Sequence, residues 1–115
     1  MPSAPVGPLK VSDITANSAT LSWKPPKEDG GQPLKRYIVE RRDTRRSAWV
    51  QIETPRPNVL TVTTEKLLEN VEYLFRVSAE NIEGQGPCLE TKEPITPRRV
   101  PGRRGQPGSR VSGTR

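Results

Sequence analysis

The sequence has no histidine and a single cysteine, and these absences exclude most kinds of catalytic and metal site. Histidine is the usual general base at neutral pH and the commonest metal ligand. Cys88 alone cannot form an intradomain disulfide or a zinc site, and a cysteine nucleophile needs a base beside it. The glycine pairs at 30–31 and 84–86 lack the lysine of a phosphate-binding loop. The sequence therefore predicts a non-catalytic protein that needs no cofactor or metal.

Long apolar runs are also lacking. No stretch is long enough for a signal peptide or a membrane span. No asparagine begins an N-x-Ser/Thr glycosylation motif. With only one cysteine, these features favour a cytoplasmic location. An extracellular module that happens to lack all three features is the alternative.

Acidic residues are missing from the C-terminal end of the chain. Residues 1–97 carry 13 lysines and arginines and all 13 aspartates and glutamates, so their charges cancel. The six remaining arginines lie in residues 98–115 and account for the net charge of +6. This segment has almost no apolar side chains with which to offset the entropy of ordering. We therefore predict a disordered basic tail at 98–115, whose alternative role is nonspecific binding to anionic surfaces.

The 13 prolines and nine glycines punctuate the rest of the chain into short segments. Several of these alternate apolar and polar residues, the period expected of half-buried strands. Seven such strands with no helical period predict an all-β fold, a seven-stranded antiparallel sandwich of two sheets. The expected boundaries are a proline-rich lead-in at 1–8 and a domain at 9–97. The glycines at 84 and 86 are expected in a loop, with the last strand running from Leu89 to Ile95.

The alternation also predicts which side chains meet between the sheets. Tyr73 begins the longest alternating run, and its position six residues after Leu67 is that of a tyrosine corner, in which the hydroxyl bonds the preceding loop. The chain has only five aromatic residues, and they fit core positions except for Trp49. A surface for stacking nucleic-acid bases is therefore not expected. The predicted core consists of Trp23, Tyr37, Leu67, Tyr73, Phe75 and Val77.

Three segments together resemble the fibronectin type III domains of titin-like muscle proteins, those of the titin, twitchin and myosin-binding-protein type. The first is Pro25-Pro26-x-x-Asp29-Gly30-Gly31-x-Pro33. The second is the strand 37–41, and the third is Glu69-Asn70-x-Glu72-Tyr73-x-Phe75-Arg76-Val77-x-Ala79-x-Asn81-x-x-Gly84. The resemblance covers residues 5–97 and leaves the tail unmatched.

The resemblance implies a structural and protein-interaction module, a spacer and docking surface in a tandem array of immunoglobulin-like and fibronectin type III domains. It implies neighbouring array domains and myosin or actin filaments as partners, a sarcomeric location and a monomeric domain. The alternative is an extracellular receptor or matrix module that binds a protein ligand.

Two surface features are candidates for such contacts. The loop residues Asp29, Gly30, Gly31 and Pro33 are predicted either to face a neighbouring domain or to serve only as a turn. The basic residues Arg41, Arg42, Arg45 and Arg46 are predicted either to meet an acidic partner or to form a solvated hairpin. Because successive strand residues point to opposite faces, only part of this arginine cluster can form one patch.

Overall fold

The computed structural model describes residues 1–99, which form seven β-strands in two antiparallel sheets. One sheet has the order β1-β2-β5 and the other the order β4-β3-β6-β7. This confirms the predicted sandwich. The predicted tail lies, apart from its first two arginines, outside the described residues. The strands are β1 Val6–Ser12, β2 Ala19–Lys24, β3 Leu34–Asp43, β4 Val50–Glu53, β5 Thr61–Thr64, β6 Tyr73–Asn81 and β7 Gly84–Glu90.

The core lies between the sheets, where the inward-facing positions of β2, β3 and β6 meet. The longest pairing joins β3 to β6, with Tyr37 opposite Ala79 and Val39 opposite Val77. The ring of Trp23 packs edge-on against that of Tyr37, with ring centroids 5.4 Å apart. All six residues predicted for the core lie in one buried cluster, together with Leu9, Ala19, Leu21, Val39 and Ala79.

The hydroxyl of Tyr73 has the structural role expected from its place in the sequence. Tyr73 is buried, and its hydroxyl oxygen accepts a hydrogen bond of 3.0 Å from the backbone N–H of Leu68. This bond satisfies a loop donor next to the core and fixes the entry into β6. The predicted tyrosine corner is therefore present.

The prediction for the last strand was wrong. Strand β7 begins at Gly84, directly after a two-residue turn, and ends at Glu90. Ile95 forms only an isolated bridge with Tyr73. Gly86, which was expected in a loop, lies inside the strand, at a point where another segment of backbone passes close to it. A Cβ atom at this position would be 2.1 Å from the carbonyl oxygen of Pro2.

The boundary predicted at residue 9 also differs from the structure. Strand β1 begins at Val6, three residues inside the predicted lead-in, and its pairing with β2 is irregular between Val6 and Lys10. Pro8 lies in this irregular stretch, and proline has no backbone N–H to donate. Pro2 and Pro5 are buried, so the first residues pack against the sandwich.

Candidate protein-interaction surfaces

The loop from Asp29 to Pro33 has a conformation fixed by its own residues. Gly30 and Gly31 have φ angles of 78° and 84°, in the left-handed region that favours glycine. One carboxylate oxygen of Asp29 accepts a 2.9 Å hydrogen bond from the backbone N–H of Gly31. The side-chain amide of the buried Asn81 donates a 2.7 Å bond to the carbonyl oxygen of Asp29. The loop is thereby tied to the end of β6.

Residues 1–5, which we call the N-terminal strap, cover one side of this loop. The backbone N–H of Ser3 donates to the carbonyl oxygen of Glu28 at 2.9 Å. In return, the N–H of Glu28 donates to the Ser3 hydroxyl at 3.1 Å. A Cβ atom on Gly30 would lie 2.6 Å from the carbonyl oxygen of Met1, whereas one on Gly31 would meet no atom within 4 Å. The side of the loop that remains accessible is therefore that of Gly31 and Pro33.

The four arginines of the predicted basic cluster divide between two faces of the molecule. The guanidinium of Arg41 lies 5.6 Å from the centroid of the Tyr73 ring, on the inward-facing side of β3. The guanidinium of Arg42 lies 5.7 Å from the centroid of the Trp49 ring and donates to the carbonyl oxygen of Arg46 at 2.6 Å. The alternation along β3 thus separates Arg42 from Arg41.

A cavity of about 260 Å³ brings the other three arginines together at the β3–β4 end of the sandwich. Its lining comes from the end of β3, the β3–β4 connection, the start of β4, the loop before β6 and the start of β6. We call it the arginine cavity. It is lined by Arg41, Asp43, Arg45, Arg46, Ala48, Val50, Leu68 and Tyr73.

Asp43 organises the rim of the arginine cavity. Its carboxylate accepts hydrogen bonds from the Arg45 side chain, the shortest at 2.7 Å, and another from the Arg45 backbone N–H at 2.9 Å. These bonds lower the pKa of Asp43 to about 2, and the bonds from the Arg45 side chain have the largest effect. The same contact raises the pKa of Arg45. The lowered pKa of Asp43 and the raised pKa of Arg45 both favour the charged pair, and the hydrogen bonds direct the Arg45 guanidinium toward Asp43.

The outer face of the four-stranded sheet carries a second charged group that the sequence reasoning missed. The Arg76 guanidinium lies 4.1 Å from the centroid of the Trp49 ring, and its Nε atom is 2.8 Å from a carboxylate oxygen of Glu40. The bond to Glu40 raises the pKa of Arg76. The sequence does not set the β3–β6 register, and it is this register that places Glu40 opposite Arg76. The outer face therefore carries an ion pair between Glu40 and Arg76, and the half-buried Trp49 ring lies against it.

Cys88 lies on the same outer face, in β7 opposite Ser78. The thiol is half-buried, and this burial is the main cause that raises its pKa. A raised pKa leaves less thiolate, which is the nucleophilic form. The position is therefore that of a structural thiol.

Within residues 1–99, no three side chains of the metal-ligating types Cys, Asp and Glu are grouped so that they would hold an ion. The same part of the chain has no helix of the length and apolarity needed to cross a membrane.

Two antiparallel sheets, a buried tryptophan and a tyrosine corner are the arrangement expected of a known sandwich family. The family model of the fibronectin type III domain matches residues 3–98. The chain belongs to the fibronectin type III family. The match begins within the N-terminal strap, in agreement with the packing of that segment against the domain.

Similar sequences occur as single domains of very large proteins. Titin of Drosophila melanogaster is 36% identical over 94 residues, which are 82% of this chain and a share of titin that rounds to 0%. Cardiac-type myosin-binding protein C of Mus musculus is 33% identical over 102 residues, which are 89% of this chain and 8% of that protein. The chain therefore spans less than a tenth of these relatives.

Solved structures show the same relationship. A crystal structure of titin domains superimposes with a TM-score of 0.77 at 33% identity, over 85% of this chain and 32% of the titin chain. The structure of titin kinase and its flanking domains gives a TM-score of 0.74 at 34% identity, over 84% of this chain and 17% of that one. The matched part is a fibronectin type III domain and not the kinase. This fibronectin type III domain is thus similar to domains of structural muscle proteins.

Proposed function

We propose that this fibronectin type III domain is a structural and protein-interaction module of a titin-like muscle protein. In this role it is a spacer and docking surface within a tandem array of immunoglobulin-like and fibronectin type III domains. The observation that carries the proposal is the match of more than 80% of the chain to titin and to myosin-binding protein C, of which it spans only a small share. A sarcomeric, cytoplasmic location follows as part of the proposal. The relatives above 30% identity favour it over the extracellular alternative.

The partners proposed are neighbouring domains of the array and myosin or actin filaments. The name of myosin-binding protein C supports myosin as the first filament to examine. Two surfaces, the loop 29–33 and the arginine cavity, contain short hydrogen bonds that favour one local arrangement, and this supports docking. A surface that is already ordered loses less entropy when a partner binds.

The proposal predicts saturable cosedimentation of the full chain with myosin filaments, with actin filaments, or with both, at physiological salt. The chain without filaments should stay in the supernatant. Binding should persist at physiological salt because shape and apolar contacts are screened less than surface charges. If the chain stays in the supernatant with both filaments, the docking part of the proposal is wrong.

A further inference from the structure

The arginine cavity combines positive charge with exposed apolar surface. Leu68 and Val50 line it and are 60% and 50% exposed, whereas most large apolar side chains of the domain are buried or half-buried. Arg45 and Arg46 stand beside them with side chains that are 66% and 77% exposed. Apolar and arginine side chains on one patch are typical of protein interfaces.

The charge of this patch is positive because its lining contains three arginines and one carboxylate. Asp43 lies 2.7 Å from Nη2 of Arg45 and 4.0 Å from Nε of Arg46. A guanidinium has five N–H donors, and the contacts with Asp43 use only the Nε and Nη2 groups of Arg45. Asp43 therefore orients Arg45 without exhausting its capacity for a further carboxylate.

Tyr73 lines the arginine cavity from the side of the core. The Tyr73 ring is buried in the core, and its hydroxyl is bonded to the N–H of Leu68. Arg41 lies against the same ring. Tyr73 thus fixes the backbone at Leu68 through its hydroxyl and contacts the Arg41 guanidinium with its ring.

We infer that the arginine cavity binds an extended acidic segment of a partner protein. One apolar side chain of that segment contacts Leu68 and Val50, and flanking carboxylates meet Arg45 and Arg46. A cavity of about 260 Å³ holds one large side chain and is smaller than a usual small-molecule site. The inference rests on the proposed docking function and names the chemistry of the partner segment.

The probe that tests this inference is a short fluorescent peptide of glutamates around one central leucine, titrated with the full chain and followed by anisotropy. A second peptide has serine in place of the leucine. Loss of the apolar contact should weaken binding about tenfold, because the serine peptide has no apolar side chain to bury against Leu68 and Val50.

Two matched pairs of variants locate the binding. Arg46→Glu and Arg56→Glu make the same charge change, but only Arg46 lines the cavity, and both are exposed. Leu68→Asp and Ile82→Asp likewise replace exposed apolar residues, and Ile82 lies in the β6–β7 turn. We expect about tenfold weaker binding for Arg46→Glu and Leu68→Asp and little change for the other two variants. The basic tail is present in all four, so its attraction for glutamate is held constant.

Equal affinity for the leucine and serine peptides would overturn the inference, as would equal effects of Arg46→Glu and Arg56→Glu. Absence of binding at millimolar concentration would do the same. Filament cosedimentation separates these results from failure of the proposed function. If filaments bind the chain while the peptides do not distinguish the variants, the docking function stands and the arginine cavity is not its site.

Discussion

Replacement of Trp23 by alanine is expected to lower the free energy of unfolding by about 3–5 kcal/mol, the range for large aromatic side chains removed from a core. Trp23 is 4% exposed and packs edge-on against Tyr37 at 5.4 Å. A domain of this size has a total stability of about 5–15 kcal/mol, so the variant keeps only part of it. Urea unfolding followed by circular dichroism measures the loss.

The matched control is Trp49→Ala. Trp49 is half-buried on the outer face, where its ring faces the guanidinium of Arg76 at 4.1 Å. A cation–π contact of this kind contributes about 0.5–2 kcal/mol, so the control should lose much less than Trp23→Ala. Equal losses from the two tryptophans would contradict the assignment of Trp23 to the core and of Trp49 to the surface.

Gly86→Ala is expected to lower the free energy of unfolding by about 2–3 kcal/mol, near the upper end of the range for overpacking. The added methyl group would lie 2.1 Å from the carbonyl oxygen of Pro2 and 3.1 Å from its carbonyl carbon. These are backbone atoms, which cannot move aside as the end of a side chain can. The N-terminal strap must therefore leave β7, and the bonds between Ser3 and Glu28 break with it. Urea unfolding measures the loss, and faster hydrogen exchange at the Glu28 amide reports the detachment.

Two comparisons distinguish the clash with Pro2 from a general cost of replacing a glycine in a strand by alanine. In Gly7→Ala the added methyl group meets a terminal carbon of the Leu89 side chain at 2.8 Å, and that flexible group can move. It should therefore cost less than Gly86→Ala. In a chain that lacks residues 1–4, Gly86→Ala should cost almost nothing, because its opposing atoms are gone. An unchanged cost in the shortened chain would mean that the strap does not press on Gly86.

The parts of the fold that follow from local pattern were predictable from the sequence. Alternation along β6 placed Tyr73, Phe75 and Val77 on one face because side chains in a strand have a period of two residues. The spacing from Leu67 to Tyr73 indicated the tyrosine corner, and its hydrogen bond is present. The same alternation indicated that Arg41 and Arg42 lie on opposite faces.

The features that the sequence did not reveal depend on contacts between distant segments. From the sequence, Gly86 was expected in a loop. A glycine inside a strand often marks the close approach of another backbone segment, and the sequence does not show which segment approaches. Here that backbone is Pro2, more than eighty residues earlier. The proline-rich start looked like a linker for the same reason.

The arginine cavity was only half predictable. The basic residues at 41, 45 and 46 are visible as a cluster in the sequence, and alternation separates Arg42 from them. The apolar wall of the arginine cavity comes from Val50 in β4 and Leu68 in the loop before β6. No local pattern joins these positions, because they meet only when β3 pairs with both β4 and β6.

We propose that the folded domain, and not the basic tail, binds the filament. This proposal is tested most directly by cosedimentation of residues 1–97 and 1–115 with myosin and actin filaments, at low and at physiological salt. The shorter chain keeps Pro97, whose carbonyl oxygen accepts a 2.9 Å bond from the N–H of Asn70. We expect both chains to pellet with a filament at physiological salt. Pelleting of the longer chain alone, and only at low salt, would contradict the proposal, because binding carried by the charge of an exposed tail is screened by salt.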